Sequence, residues 1–196
     1  AVSESTDLRA VAQALCGRQS GLVGEHEGAE MVWGERRANS MLAFLEACLS
    51  LPLETRRKIR RNFDHLPDEP SALKQLVEAT AAVLVKSQIF PAAEEGELED
   101  LCEIKVVNCH EGGSGGSALY EVLSRLAHSC SPNAIFIASS DKKPSGESGG
   151  YGSVVAARKI QPEEVLSISY MSLRDLLGPR PSRQALLRGS RGFSCR

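Results

Sequence analysis

A histidine, two cysteines and an asparagine supply the most chemically capable pattern in this chain. His128 and Cys130 lie two residues apart, Pro132 and Asn133 follow directly, and Cys195 comes much later. Because Pro132 prevents a regular helix and Asn133 favours a turn, we expect this segment to form a loop that presents polar groups. Imidazole and thiol groups can build a metal site or a nucleophile–base pair, and the sequence leaves both open. The plainer alternative is a hydrogen-bonded structural histidine beside two free thiols.

Helical spacing dominates the first half of the chain, from about residue 6 to residue 90. Apolar residues recur there at intervals of three and four, as they do on the buried face of a helix. The pattern predicts three antiparallel helices joined by short links. The first begins at Asn39 or Ser40 and ends at Leu51-Pro52, the second covers about residues 53–66, and the third is capped by Ser71 and ends near Phe90-Pro91.

The character of the sequence changes after the acidic residues 94–100. Residues 101–108 suit either a last helix or a strand, and the glycine-rich residues 112–116 interrupt any regular structure. We therefore divide the chain into a helical region, residues 1–100, and a second region, residues 101–196.

Short strands and turns predict an α+β fold class for the second region. Residues 134–138 and 153–157 are β-like runs, which predict a hairpin with a long disordered tip at residues 139–152. Residues 165–170 alternate between apolar and polar as a strand does. Helical spacing returns at residues 173–187, with an interruption at the Gly-Pro-Arg-Pro sequence of residues 178–181.

Composition and cysteine spacing indicate a soluble, globular, intracellular protein. The net charge is −2, and no run of residues approaches the roughly 20 apolar positions that a membrane helix needs. The six cysteines are widely spaced without a CxxC pair, which favours a reducing compartment, with Cys16, Cys48 and Cys102 as small buried side chains. The chain opens without an initiating methionine or a signal peptide, so we expect it to begin inside a longer protein.

A run of basic residues at positions 56–61 is the most positive stretch of the sequence. It falls on the second predicted helix, where it is most simply a solvated face. No aromatic residue interleaves with the run, so nucleic-acid binding is the weaker interpretation.

Residues 125–133 read Arg-Leu-Ala-His-Ser-Cys-Ser-Pro-Asn, and Ile168-Ser169-Tyr170 and Phe193-Ser194-Cys195 follow. These three segments resemble the C-terminal half of a SET-domain protein methyltransferase, in particular the SET and MYND domain family. In that family a helical insertion precedes an Asn108-like element, and residues 6–90 look like that insertion. Further landmarks come in the same order: Asn108 in a Val-Asn-Cys-His segment, Ala118-Leu119-Tyr120, residues 155–160, and Arg183 with Leu186-Leu187.

The resemblance implies methyl transfer from S-adenosylmethionine to the ε-amine of a lysine in a protein substrate. It implies that Tyr170 lies in the active site and orients the amine and the methyl group. The residues that it implies for the S-adenosylmethionine pocket are Asn108, Ala127, His128, Tyr170 and Phe193.

The same resemblance implies a structural zinc ion. Cys130 and Cys195 match two of the four thiolate ligands that the family uses, and the other two would lie beyond Arg196.

The chain departs from the family pattern at three points. Ala127 stands where the family has an asparagine that hydrogen-bonds the cofactor, and Glu163 replaces a turn glycine, which predicts a different turn. No strand with a Gly-x-Gly segment precedes residue 101, so we expect an incomplete SET-like fold. Two hypotheses follow: a fragment of a protein-lysine methyltransferase, inactive by itself, or a non-catalytic SET-like scaffold that binds proteins and has a degenerate cofactor pocket.

Overall fold

A computed structural model describes residues 35–68, 70–111, 117–139 and 151–195. Two compact units divide the chain, Ala1–Val107 and Asn108–Arg196, and each is described by itself. The predicted combination of helices with short strands is confirmed. The predictions for Cys16, for the glycine-rich residues 112–116 and for the hairpin tip at residues 140–150 lie outside the described residues. Within the described ranges, no helix is both long and apolar enough to cross a membrane.

Four helices make up the described part of the first unit. They are α1 (Glu35–Leu49), α2 (Leu53–Asn62), α3 (Ala72–Ser87) and α4 (Glu95–Asn108). Residues 101–108, which suit helix or strand in sequence, are thus helical, and the predicted division at residue 100 falls inside α4. The large apolar side chains that are at most 1% exposed are Met41, Leu45, Val77, Leu84, Leu98, Leu101 and Ile104.

The first helix begins earlier than its sequence predicts. A start at Asn39 or Ser40 is wrong, because α1 already includes Glu35. Ala38 is 1% exposed and adds one more turn to the buried stripe, so packing outweighs the capping preference of the polar residues. Pro52 follows as the residue before α2, where its fixed φ of −55° suits a helix start.

Helix α3 begins where the sequence predicts. The Ser71 hydroxyl accepts a hydrogen bond of 3.1 Å from the backbone N–H of Lys74, which confirms the predicted cap. Helix α2 stops at Asn62, before the predicted end near residue 66, because Phe63 takes an extended conformation.

Cys48 and Cys102 are buried thiols, as predicted. Loss of solvation raises the pKa of Cys48 to about 11 and that of Cys102 to about 12. Both are therefore protonated at neutral pH and behave as small apolar groups.

Helix α2 has no buried residue and is attached to α4 by ion pairs instead. Arg56 donates to the Glu97 carboxylate at 2.8 Å, where Glu97 is 7% exposed. One turn later, Nε of Arg60 donates to Asp100 at 2.6 Å. The predicted solvated face is therefore wrong for Arg56 and Arg60, since both guanidinium groups have a structural role.

The other basic positions of α2 agree better with a solvated face. Arg57 and Arg61 are exposed, and both approach the Glu54 carboxylate, at 3.9 Å and 3.4 Å. Exposed pairs of this kind contribute little to stability.

Replacing Arg56 tests the attachment of α2. Arg56→Met keeps most of the apolar stem but leaves the Glu97 carboxylate buried without its cation. We expect a loss of about 2–4 kcal/mol in the free energy of unfolding, measured by urea titration. The matched control Arg57→Met removes an exposed charge from the same helix, and we expect it to change stability by less than about 0.5 kcal/mol. Equal effects of the two substitutions would contradict this account.

In the part of the second unit that the structure describes, three two-stranded sheets form the framework. Strand β1 (His110–Glu111) pairs with β2 (Ser117–Ala118), and β4 (Ala134–Ser139) pairs with β5 (Tyr151–Ala156), both antiparallel. Strand β3 (Ala127–His128) pairs with β6 (Ser167–Ile168) in parallel. The helices are α5 (Leu173–Leu176) and α6 (Arg180–Arg191), and a 3-10 turn covers Leu123–Arg125.

Two predicted elements of this unit are confirmed. The β4–β5 hairpin matches the predicted pair of runs, and the helical region breaks between α5 and α6 as predicted. The predicted strand at residues 165–170 is wrong in length, since only Ser167–Ile168 is a strand. A small core of Leu123, Ala134 and Ile168 is covered by Tyr120, Leu126, Phe136 and Tyr170.

Candidate active site

Tyr170 is fixed both at its backbone and at its hydroxyl. The parallel pairing of β3 with β6 places His128 opposite Ile168, two residues before Tyr170. The backbone N–H of Tyr170 donates to Nδ1 of His128 at 3.0 Å. At the far end of the side chain, the Tyr170 hydroxyl donates to the carbonyl of Leu126 at 2.5 Å. The position of the phenol is therefore defined by two contacts with one short stretch of chain.

Aromatic rings surround Tyr170. His128 lies 5.3 Å from its centroid, Phe193 lies 6.1 Å away and nearly perpendicular, and His110 lies 5.7 Å away. Phe136 contacts His110 at 5.8 Å. These are the distances and tilts at which aromatic rings attract each other. Three of the predicted residues, His128, Tyr170 and Phe193, thus come together in one cluster.

The two remaining residues predicted for the cofactor pocket lie near this cluster. Ala127 is exposed and precedes His128 in β3. Asn108 is 2% exposed and lies two residues before His110, and its carbonyl accepts a hydrogen bond from Ser124. Ala127 has no polar side-chain atom, so it offers a ligand only its backbone.

Asn133 ties the loop after β3 to the chain before β6. Its side-chain amide donates to the Glu164 carboxylate and to the Val165 carbonyl, each at 2.9 Å. Its side-chain oxygen accepts the backbone N–H of Ser167 at 2.9 Å. Side chains therefore satisfy backbone groups on both sides of β6, which explains why a two-residue strand replaces the six-residue strand predicted there.

The turn before β6 contains Glu163 in a conformation that glycine usually adopts. Glu163 has a φ of 65°, the left-handed conformation that glycine favours. A non-glycine residue was predicted to need a different turn, and Glu163 instead adopts the left-handed conformation itself. The neighbouring Glu164 closes the turn by accepting the backbone N–H of Gln161 at 3.0 Å.

The two predicted metal ligands lie with His128 in one group. One nitrogen of His128 and the sulfur atoms of Cys130 and Cys195 all lie within 4.8 Å of one another. The carbonyl of Cys195 accepts a hydrogen bond from Gln184 of α6, which attaches the end of the chain to that helix. Two thiolates this close suit zinc, which takes four ligands in structural sites. This group of described residues offers at most three donors, so a four-ligand site requires further donors from elsewhere.

His128 acts more readily as a donor to sulfur than as a metal ligand. Because Nδ1 accepts the backbone N–H of Tyr170, the neutral ring carries its proton on Nε2. Nε2 lies 3.4 Å from the sulfur of Cys130 and can donate to it. Metal binding through Nε2 would move that proton to Nδ1 and break the bond to Tyr170. We infer that Cys130 and Cys195 are the ligands that fit zinc, with His128 supporting the first of them.

A positive charge reaches this cluster from α6. The guanidinium carbon of Arg191 lies 5.2 Å from the centroid of Tyr170. Burial, and then the charge of Arg191, lower the pKa of His110 to about 4 and also lower the pKa of His128. Both imidazoles are therefore neutral at pH 7, and Nδ1 of His128 already accepts the backbone N–H of Tyr170.

Sequence reasoning did not identify His110, Phe136 and Arg191 as members of the site. His110 follows the Asn108 landmark directly, and that adjacency was an available signal. Phe136 alternates with exposed isoleucines in β4, as a core residue of a strand does. Arg191 belongs to a basic helix and gave no signal in the sequence.

Comparison with known proteins adds no relative: no protein-family model matches the chain, and no curated protein matches it significantly.

The pH dependence of stability tests how Glu164 holds the turn before β6. Hydrogen bonds from Arg158, Asn133 and the backbone of Gln161 lower the pKa of Glu164 to about 2, against an ordinary value of 4.5. A lowered folded-state pKa stabilises the fold above about pH 4.5, and this stabilisation is lost as the pH falls toward 2. We therefore expect the stability difference between the wild type and Glu164→Gln to shrink over that range in urea titrations.

The control for this experiment is Glu163→Gln, which removes the same charge from the exposed neighbouring position. We expect its difference from the wild type to change less with pH. A pH-independent effect of Glu164→Gln would show that the carboxylate charge does not hold the turn.

Proposed function

We propose that the second unit carries the active site of a protein-lysine methyltransferase with a SET-like fold. The observation that carries this proposal is the meeting of three distant segments at Tyr170: its N–H is bonded to His128, its hydroxyl to Leu126, and its ring contacts Phe193. These are the segments in which the sequence resembles the SET and MYND domain family. The helical first unit corresponds in this proposal to the insertion of that family.

In this proposal the hydroxyl of Tyr170 orients the lysine amine. Its hydrogen is donated to Leu126, and in this proposal the phenol oxygen accepts an N–H from an incoming lysine amine. Such a contact would direct the lone pair of the nitrogen away from the hydroxyl. Orientation of this kind can account for a large part of a catalysed rate.

A lysine amine reacts only when it is uncharged, and the surroundings of Tyr170 favour that form. The rings of Phe193, His110 and His128 around Tyr170 carry no negative charge that would stabilise an ammonium group, and contact with them would remove water from the amine. Desolvation of this kind lowers the pKa of a lysine. S-adenosylmethionine, when bound, supplies an electrophilic methyl group, and in this proposal the pocket residues Asn108, Ala127, His128, Tyr170 and Phe193 hold it.

In the same proposal Cys130 and Cys195 contribute to a structural zinc site that fixes the segment after α6. Their sulfur atoms lie close enough for a shared ion, and Phe193 precedes Cys195 by two residues. An ion bound there would restrict the motion of the Phe193 ring beside Tyr170.

We further propose a protein substrate and an intracellular location. The arginines of α2 are paired with Glu54, Glu97 and Asp100, which leaves them poorly suited to a nucleic-acid backbone. The cysteines of the described residues, Cys48, Cys102, Cys109, Cys130 and Cys195, carry no disulfide, in keeping with a reducing compartment.

A second candidate function is a non-catalytic scaffold that binds proteins. Ala127 favours it, because this exposed methyl group stands where the family has a side chain that bonds the cofactor. The missing hydrogen bond is worth about 0.5–1.5 kcal/mol, a modest loss that weakens a pocket without abolishing it.

Removing the Tyr170 hydroxyl tests the enzymatic proposal. In the longer protein to which this chain is expected to belong, we expect the wild type to bind S-adenosylmethionine in calorimetry and to transfer its radiolabelled methyl group to a library of lysine-containing peptides. Tyr170→Phe should reduce transfer at least about 100-fold, because the acceptor for the amine is lost, and change cofactor affinity less than about threefold. Absence of cofactor binding at millimolar concentration would exclude the enzyme and leave the scaffold. Unchanged transfer by Tyr170→Phe would remove Tyr170 from the mechanism.

Restoring an asparagine tests the contribution of position 127. Ala127→Asn should raise the affinity for S-adenosylmethionine about 2- to 12-fold, the factor that corresponds to one hydrogen bond. Ala127→Leu is the matched control, since it adds a side chain of similar size without polar atoms. An equal gain in both variants would point to packing, and no gain in Ala127→Asn would mean that this position does not face the cofactor.

A further inference from the structure

Cys130 and Cys195 are far apart in the chain, but their sulfur atoms lie within 4.8 Å of each other. Both side chains are half-buried, and neither is in a disulfide. Rotation about the Cα–Cβ bond of each residue can bring the two sulfur atoms toward the roughly 2 Å of an S–S bond. The pair is therefore close enough for a reaction between the two thiols.

A ring contact near each cysteine holds the two segments side by side. His128 precedes Cys130 by two residues, and Phe193 precedes Cys195 by two residues. The rings of His128 and Phe193 contact each other, with their centroids 5.8 Å apart. The backbone carbonyl of Cys195 also accepts a hydrogen bond of 3.0 Å from the side chain of Gln184 in α6. The cysteines thus follow directly from a contact that joins their two segments.

The loop that carries Cys130 is fixed on both sides of this residue. The backbone N–H of Ser129 donates to the carbonyl of Ile168 at 2.9 Å, and the hydroxyl of Ser129 accepts the backbone N–H of Ser131 at 3.0 Å. These bonds keep the sulfur of Cys130 beside that of Cys195 in the reduced protein. Groups held together in this way react much faster than the same groups in separate molecules.

The other cysteines of the described residues are in a different environment. Cys48, Cys102 and Cys109 are buried, and burial raises the pKa of Cys48 and of Cys102. The thiolate is the form that attacks an oxidant, so buried and protonated thiols react slowly. Among the described residues, an oxidant in solution therefore has better access to Cys130 and Cys195.

We propose that Cys130 and Cys195 form a reversible redox couple, which a hydroperoxide converts into a disulfide. Disulfides of intracellular proteins are commonly transient and redox-sensing, and a half-buried pair near an aromatic site suits that role. The inference requires only the two thiols and does not depend on methyl transfer.

The reaction takes two steps when the oxidant is hydrogen peroxide. The thiolate of one cysteine attacks a peroxide oxygen, so that an S–O bond forms, the O–O bond breaks and hydroxide leaves. The hydroxide takes up the proton of that thiol and becomes water. The second sulfur then attacks the sulfenic sulfur, which forms the S–S bond and breaks the S–O bond, and a second water leaves with the remaining thiol proton. The two thiols lose two electrons, and the peroxide gains them.

The disulfide would change the candidate site in two ways. It would join the loop after β3 to the segment after α6, and so restrict Phe193, whose ring contacts Tyr170. It would also remove both thiolates that fit a zinc ion, because a metal binds the thiolate form. The same pair of sulfur atoms can therefore hold a metal or form a disulfide, but not both at once.

Thiol counting on the full chain tests the inference. The variant Cys16→Ser removes the cysteine that lies outside the described residues and leaves five thiols. With a chelator present to remove metal ions, a slight excess of hydrogen peroxide should consume two of these thiols, and dithiothreitol should restore both. The product should run at the mass of one chain on a non-reducing gel. Mass spectrometry of its peptides should identify a link between Cys130 and Cys195.

Three further substitutions in the same background separate this pair from the other thiols. Cys130→Ser and Cys195→Ser should each abolish the linked peptide, because one of the two sulfur atoms is missing. Cys109→Ser is the matched control, since it removes a buried thiol and should leave the link unchanged. A folded protein that forms no link between Cys130 and Cys195, or that links either of them preferentially to Cys48, Cys102 or Cys109, would overturn the inference.

Discussion

The hydrogen bond from the backbone N–H of Tyr170 to Nδ1 of His128 determines three features of the second unit at once. It satisfies a backbone group that would otherwise need a partner in the sheet, so β6 can end at Ile168. It fixes the proton of the neutral His128 ring on Nε2, which turns that nitrogen into a donor toward Cys130. It also sets the direction of the Tyr170 side chain, whose hydroxyl then reaches Leu126. The candidate active site and the candidate zinc ligands therefore share one positioning contact.

Asn133 accepts a hydrogen bond from the backbone at the start of β6, as His128 does just after its end. Its amide and oxygen bond Glu164, Val165 and Ser167, so that a loop side chain replaces the backbone partners of a neighbouring strand. This explains how a strand of two residues can remain ordered: hydrogen bonds from the buried Asn133 and the half-buried His128 hold its ends. It also explains why the turn tolerates Glu163 in a left-handed conformation, because the bonds of Glu164 on either side of the turn offset that local strain.

Local patterns predicted the elements of this fold, and distant contacts decided what the sequence left open. Apolar spacing and the Ser71 cap are properties of neighbouring residues, and the helices and the β4–β5 hairpin followed from such signals. The structural role of Arg56 depends on Glu97, 41 positions later, and that of Arg191 on Cys109, 82 positions earlier. Neither partner can be read from a basic helix by itself. His128, Tyr170 and Phe193 were predictable as a group only because the resemblance linked three separate segments.

The aromatic cluster and Arg191 have opposite consequences for a ligand. Rings such as Tyr170 and Phe193 attract cations to their faces, and such a surface by itself would suit a sulfonium or an ammonium group. The guanidinium group of Arg191 already lies over the ring of Tyr170, so part of this attraction is satisfied within the protein. What remains beside Tyr170 is an apolar wall and two neutral imidazoles. In the proposed function, the uncharged amine of a lysine suits these surroundings better than the ammonium form does.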